Sequence, residues 1–446
     1  MHTVDLTKGL ALHNALPVTR IEKFKKRFNM FNDNYRDQVE NKLGLVYAAF
    51  KELKLDVQLH HQTNLYKQIV NKISHVYSFG VEREFTNEQH AELYNTLRVN
   101  KIMAQANTYL NAFNDVLVQV THDDDKVKIV LRLPHRTEVT TKDGKIDTVK
   151  YYVENLGDKG SIERWAFWSA EEHYYIDRSK GEDTKVLIEG NEEGVNPFGV
   201  LPFVEMHNGW RDEHFFDAYT GDDMVNSTID ICVHLTFLNH IIKSQSFKQL
   251  VGKGDNIQSL SGQLSDPLSI LTLSGQNTEI DVLDMQSNYE QLHTVIQGLA
   301  NDLAVAYGIS PSQFRMTGAP SSGFALQMEN LQVDKFVQSQ QDDFVHYEKE
   351  LFELIKIVGG EFGTVADGSL DSVVFAKPSY PESRETKLNN DAKAIDLGLT
   401  SSDKILKSQG VQDADLVVAE NIEARNKLYE RVSGSNLPPT SSALGL

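Results

Sequence analysis

His122, Asp123, Asp124 and Asp125 stand side by side, and a histidine next to three carboxylates could seed a divalent-metal site for phosphodiester hydrolysis. Adjacent carboxylates on a strand or turn point apart, however, and no second group of ligands stands nearby, so the run reads first as a hairpin tip. A metal-dependent nuclease or hydrolase is kept as the alternative. Val251-Gly-Lys-Gly-Asp255 places a lysine between glycines but lacks the upstream glycine and the hydroxyl that a phosphate-cradling loop needs, so ATP hydrolysis would have to come from a partner. No His-Glu-x-x-His pair and no Gly-x-Ser-x-Gly elbow occurs. Cys232 is the single cysteine, which excludes a disulfide framework and a thiolate zinc site and points to a reducing compartment. The expectation is therefore a protein without catalytic residues, metal or cofactor.

The composition narrows the class. With 446 residues there is material for roughly three folding units at about 150 residues each. Lys plus Arg number 44 against 63 Asp plus Glu, a net charge of −19, the wrong sign for a protein that coats nucleic acid by neutralising phosphates. It is compatible with a surface that handles DNA without holding it. Residues 224–242 come nearest to a membrane span, but Asp230, His234, Asn239 and His240 interrupt them. Met1 to Asp5 show no basic stretch leading into an apolar core, so no secretory signal is expected, and the chain reads as soluble and cytosolic.

Several kinds of element must position these residues. Over 20–113 apolar residues recur at three and four, as in Leu65, Ile69, Val70, Ile73 and Val76, which predicts four helices, the last opened by a Thr86/Gln89 capping box. The cluster Arg20, Lys23, Lys25, Lys26 and Arg27 reads as a solvated helix face. From Asp115 the period becomes two, through Val116, Val118, Val120 and then Val127, Ile129, Leu131, the mark of an antiparallel meander. Asp143-Gly144 has the composition of a tight hairpin turn. After Gly221 the stripe Val225, Ile229, Cys232, Val233, Phe237 and Ile241 predicts a helix, widened by Leu235, Leu238 and Ile242 beyond one face, so it needs more than one packing partner. Residues 249–285 read as a small excursion. A second helix follows, carrying Leu292, Val295, Ile296, Leu299 and Leu303 and stopping at Gly308. A Ser/Gly/Pro-rich loop leads to a helix over about 324–358 closed by Gly359-Gly360, about 50 Å long. Short helices to about 432 and a disordered tail, 433–446, complete the chain.

This order of elements resembles the portal proteins of tailed bacteriophages. The resemblance covers about 115–410 and is carried by Asn196–Asn208, by Leu303–Phe314 with its Gly-apolar-Pro stop, by Ser322-Gly323-Phe324-Ala325-Leu326, and by Gly398-Leu-Thr-Ser401 followed by Gly410. It departs where Ser310-Pro311 stands in place of Pro-Pro after the second stem helix, and in the compactness of 249–285. The fold class it implies is α+β: a mainly helical portal-type subunit with long stem and wing helices, an antiparallel β wing and a small clip, assembled as a ring.

The implied parts are an N-terminal helical wing (1–113), a β-rich wing (114–220), a first stem helix (221–248), a clip (249–286), a second stem helix (287–308), a tunnel loop (309–323), a long wing helix (324–360) and crown-like helices (361–432). In such a ring, the resemblance would place Ser312, Gln313, Arg315, Met316, Thr317, Ser321 and Ser322 toward DNA, and Lys253, Asp255, Asn256, Gln258 and Asp266 against the terminase or adaptor. Ile229, Val233, Phe237 and Ile241 would meet the neighbouring subunit. The implied partners are further copies of the chain, twelve in the family, the terminase large subunit, the major capsid or scaffold protein, a head-completion or tail adaptor, and double-stranded DNA passing without sequence preference, with no membrane. The implied place is the capsid vertex of a virion, reached from the host cytoplasm during assembly. A minor head or scaffold protein without a channel is the other non-enzymatic alternative.

Overall fold

The computed structural model describes residues 17–46, 59–123, 126–157, 161–179, 182–209, 211, 214–245, 249–253, 279–283, 289–311, 323–378, 384–408 and 413–433. The chain divides into two compact units, Met1–Thr317 with Asn330–Pro378, and Gly318–Glu329 with Ser379–Leu446.

The larger unit opens with helices α1 (Pro17–Phe31), α2 (Arg36–Val46) and α3 (Leu65–Ile73), strand β1 (Val81–Phe85), and helices α4 (Glu88–Leu97) and α5 (Val99–Phe113). The expected continuous last helix is two helices, because Arg98 adopts a left-handed φ of 55° and its N–H turns back to Tyr94 and Asn95. The N-cap is Asn87, whose side chain accepts from Gln89 N, rather than Thr86. Thr86 Oγ1 instead accepts the N–H of Ser369, 2.7 Å away. Strand β1 was not foreseen: it pairs with β12 (Leu370–Phe375), almost 300 residues on, and no local pattern reports so distant a partner.

The β region follows its period-two pattern. β2 (Asp115–Asp123) is the centre of a three-stranded antiparallel sheet between β3 (Lys126–Arg132) and β9 (Phe203–His207). Strands β4 (Thr137–Lys142), β5 (Lys145–Leu156), β6 (Ile162–Trp168), β7 (His173–Ser179) and β8 (Glu182–Val186) form a five-stranded meander. Asp143 and Gly144 both have positive φ, 53° and 77°, as a two-residue primed turn requires. The inner face of the meander packs Val149, Tyr151, Ala166 and Trp168 onto Leu117 and Phe203. On the outer face Trp165, Phe167, Tyr174 and Ile176 form a second cluster, and the Arg178 and Lys185 side chains lie over the Trp165 and Tyr174 rings.

Helix α6 (Asp222–Gln245), a two-stranded ladder of β10 (Gln249–Lys253) and β11 (Glu279–Leu283), helix α7 (Tyr289–Ala306) and helix α8 (Gly323–Glu361) follow. Phe344, Leu351, Phe352, Ile355 and Val358 of α8 are wholly buried, so its C-terminal half is a core element of the larger unit. Glu348 is also fully buried there, and it accepts from Tyr77 Oη at 2.6 Å, Arg83 Nη2 at 2.6 Å and Arg83 Nε at 3.0 Å.

Gly359 and Gly360 do not close α8. The helix runs on to Glu361 and is capped by Gly363 (φ 64°), whose N–H reaches Gly360 O while Thr364 N reaches Gly359 O at 2.8 Å. Gly359 is there for space, since a Cβ at that position would lie 2.2 Å from Val365 Cγ2. Gly359→Ala is therefore expected to destabilise the larger unit by about 1–3 kcal/mol. A urea-unfolding midpoint unchanged from that of the parent chain would contradict this.

In the smaller unit, α9 (Arg384–Asp396), α10 (Ser402–Ser408) and α11 (Ala414–Ser433) are helices of 13, 7 and 20 residues. Gly398 (φ 70°) ends α9, and Lys407 of α10 pairs with Asp415 of α11 at 3.1 Å. Of the expected tail, 433–446, Ser433 is the last residue of α11, while 434–446 and Gly410 lie outside the described residues.

Candidate functional site

Helices α6 and α7 form an antiparallel hairpin, because Tyr307, just past the end of α7, donates its hydroxyl to Asp223 Oδ1 at the start of α6, 2.6 Å away. Gly308 (φ 71°) closes α7 as its position predicts, with Ile309 N bonded to Ala304 O. The two helices differ in what they bury. Met224, Val225, Ile229, Ile231, Cys232 and Val233 are each at most 4% exposed, packed into the core that α2 and α3 share with α6. Ile229 and Val233, expected against a neighbouring subunit, sit inside the chain's own core at 3% exposure each. Phe237 and Ile241 are half-buried.

The outward apolar surface is on α7. Ile296 and Leu303 face inward at 7% exposure, while Leu292 (42%), Val295 (60%) and Leu299 (42%) form an adjacent exposed stripe at three- and four-residue spacing. The sequence signal was present, since apolar residues at 292, 295, 296, 299 and 303 cover more than one helix face.

The hairpin is fastened at its root by charges. Asp222 accepts from Lys23 Nζ at 2.5 Å and from Arg27 Nη2 at 2.9 Å. Arg27, 1% exposed, also reaches Thr220 O at 2.7 Å and Ala218 O at 3.1 Å. Lys26 donates to Asn226, and Arg20 lies over the Phe216 ring. The basic face of α1, expected in solvent, is therefore largely spent on holding residues 216–226. Sequence reading missed this because the carboxylate and carbonyl partners lie almost 200 residues away.

Beside this root, Asp115 is 1% exposed and gathers His207 Nδ1 (2.8 Å), Arg211 Nη2 (2.9 Å) and Asp217 N (2.7 Å). Burial pulls the His207 imidazole down, but its bonds to Asp115 and Glu205 outweigh this and hold it above the ordinary histidine value. A cleft of about 490 Å³ opens there, lined by His207, Arg211, His214, Phe215, Asp343 and Tyr347. Burial, with Asp342 next to it, raises the Asp343 carboxyl above its usual range.

Of the hydrolytic constellation considered from sequence, the described residues are His122 and Asp123. His122 stacks flat on Phe362, with ring centres 3.7 Å apart, and Asp123 pairs with Lys128 at the end of the β2–β3 hairpin. Asp124 and Asp125 lie outside the described residues. Among the described residues no group of three His, Cys, Asp or Glu side chains could hold a metal ion. No helix among the described residues is long and apolar enough to cross a membrane. Cys232 is buried, and burial pushes its thiol up to about 11.

The DNA-facing residues expected of the tunnel loop, Ser312, Gln313, Arg315, Met316, Thr317, Ser321 and Ser322, lie outside the described residues. So do Asp255, Asn256, Gln258 and Asp266 of the expected clip, while Lys253 ends β10, paired in register with Glu279 of β11.

A helical hairpin rooted in a mixed α and antiparallel β body, followed by a long helix, is the arrangement of the described residues. The chain belongs to the phage portal protein family, SPP1 Gp6-like, whose family model matches residues 19–427. Among solved structures it is similar to a chain in the neck of an empty GTA particle computed with C6 symmetry, at 12% identity and a TM-score of 0.44, over 78% of this chain and 90% of that one. It is also similar to a chain in the virion of a native gene transfer agent particle, at 10% identity and a TM-score of 0.43 with the same coverage. No curated protein matches it.

Proposed function

We propose that copies of this chain assemble into a closed ring at one capsid vertex, and that double-stranded DNA is packaged and ejected through its centre. The ring docks the terminase large subunit during packaging and a head-completion or tail adaptor afterwards, and it seats against the major capsid or scaffold protein. The copy number is twelve. Assembly takes place in the host cytoplasm and ends in the virion. In this reading α6 and α7 are the stem, 249–286 the clip and 309–323 the tunnel loop, with Arg315 as a weak phosphate contact. The β sheets, the N-terminal helices and the C-terminal half of α8 make the wing.

The observation that carries the proposal is the outward apolar stripe Leu292, Val295 and Leu299 of α7, beside the inward-facing Ile296 and Leu303. A patch on α7 that meets a different surface on the next copy makes a heterologous contact, and repetition of such a contact closes a ring when the rotation from copy to copy divides a full turn. The net charge of −19 per copy, multiplied around the ring, favours passage of DNA over adhesion. The chemistry of translocation then belongs to the docked motor.

Negative-stain imaging of the purified full chain tests this directly, with rings around a central hole as the expected result. A monomer at every concentration and salt condition would defeat the ring. Plasmid incubated with Mg²⁺ or Mn²⁺ and the protein is expected to stay intact, and metal-dependent cleavage would favour the nuclease instead.

A further inference from the structure

Asn208 and Gly209 follow β9 directly, on the way from the sheet to the root of α6, and Gly209 lines the cleft of about 490 Å³. They form the only Asn-Gly pair in the sequence. The chemistry open to such a pair is internal, because the glycine nitrogen can close on the asparagine side-chain carbonyl to form a cyclic imide. Folding ordinarily prevents this by holding both groups in hydrogen bonds, which keeps them out of the geometry for attack.

Neither group is held here. Among the described residues the Asn208 side chain makes no hydrogen bond and the Gly209 N–H has no acceptor. Gly209 is exposed, and a Cβ at its position would meet nothing within 4 Å. The main chain around the pair is anchored instead: Asn208 N donates to Asn114 O at 2.8 Å, and Arg211 Nη1 reaches Asn208 O at 3.3 Å and Gly209 O at 3.5 Å. Asn191 is the contrast. It is partly exposed like Asn208, but its amide donates to His173 O (3.3 Å) and Val195 O (2.9 Å) and accepts from Val195 N (3.1 Å), and the bulkier Glu192 follows it.

We propose that Asn208-Gly209 is a site of spontaneous deamidation in the folded protein. The Gly209 nitrogen gives up its proton and bonds to Asn208 Cγ, the Cγ–Nδ2 bond breaks, and ammonia leaves. Water then opens the imide at one or the other carbonyl, giving an aspartyl or an isoaspartyl residue, and no further reactant is needed. With an ordinary carboxyl value of about 4, the product is ionised at neutral pH and adds a negative charge to a chain already at −19. In the isoaspartyl form the former Asn208 main-chain carbonyl, the group that Arg211 Nη1 reaches, becomes the free carboxylate. A neutral contact turns into a charge-assisted one, which competes with the buried Asp115 for Arg211. The site lies within one chain, so it does not depend on the ring.

The test is peptide mapping by mass spectrometry of the full chain, held at physiological temperature and mildly alkaline pH both folded and in denaturant, with circular dichroism to verify folding. Asn208 is expected to convert in the folded chain at a rate within about tenfold of its rate in the denatured chain, and about tenfold or more faster than Asn191 in the same folded sample. Asn208→Gln gives up no side-chain hydrogen bond among the described residues but must close a larger ring, so loss of ammonia at this position is expected to slow about tenfold or more. An Asn208 that stays an amide in the folded chain while the denatured chain converts would overturn the proposal, since the fold would then be holding the pair. So would equal rates at Asn208 and Asn191.

Discussion

Arg83→Ala is expected to cost about 3–5 kcal/mol, enough to leave the larger unit largely unfolded at moderate temperature. The Glu348 carboxylate that Arg83 holds is fully buried and makes both guanidinium contacts within hydrogen-bond distance. Removing the cation leaves a charge in a dry site with only the Tyr77 hydroxyl as donor, and that uncompensated charge is the source of the loss. The pair joins β1 to α8 across more than 260 residues, so the β1–β12 ladder is expected to fail with it. Replacing all three polar groups together, with Arg83→Met, Glu348→Met and Tyr77→Phe, is expected to recover most of the stability, because none of the three then leaves a partner unsatisfied. Chemical denaturation of the three forms measures this. An Arg83→Ala midpoint equal to that of the parent would mean that solvent reaches Glu348.

Val295→Asp combined with Leu299→Asp is expected to abolish rings while leaving the subunit folded. Both side chains are well exposed within the chain, at 60% and 42%, so in the isolated subunit the change is worth about 0.5 kcal/mol or less per site. In an assembled interface the same two carboxylates would be buried against apolar surface at every contact around the ring, at about 2 kcal/mol or more each. The expected readout is a shift from rings to monomers in mass photometry, with the thermal melt of the monomer unchanged. Ile229→Asp and Val233→Asp serve as the contrast: both positions are 3% exposed, so these changes are expected to unfold the chain rather than dissociate it. Rings that persist in the α7 double variant would move the interface to another surface.

The particular elements show what was legible. The Asp143-Gly144 turn and the Gly308 helix stop could be read because backbone conformation at those sites is set by one or two residues. The meander could be read because strand period is local. Arg98, which breaks the last N-terminal helix, carries no such signal, because a left-handed arginine is stabilised by its surroundings rather than by its own side chain. Gly359 looked like a stop and is a close-packing site, a distinction that depends on where Val365 comes to rest.

By itself the sequence determined most of the helices, the period-two strands, their order and the acidic balance, since these follow from periodicities and residue types that act over a few turns of chain, but not the β1–β12 ladder. The tertiary structure decided which faces of those elements are spent. It turned the α6 stripe into the subunit's own core and left the stripe on α7 outside, and it used the basic face of α1 to fasten residues 216–226. It also buried Glu348 beside Arg83 and laid the 59–64 segment along the helix that follows the β region. The physical reason is common to all of these: an apolar or charged side chain carries the same local signal whether its partner is in the same chain, in another copy or in water. Only the packing of segments hundreds of residues apart chooses among them.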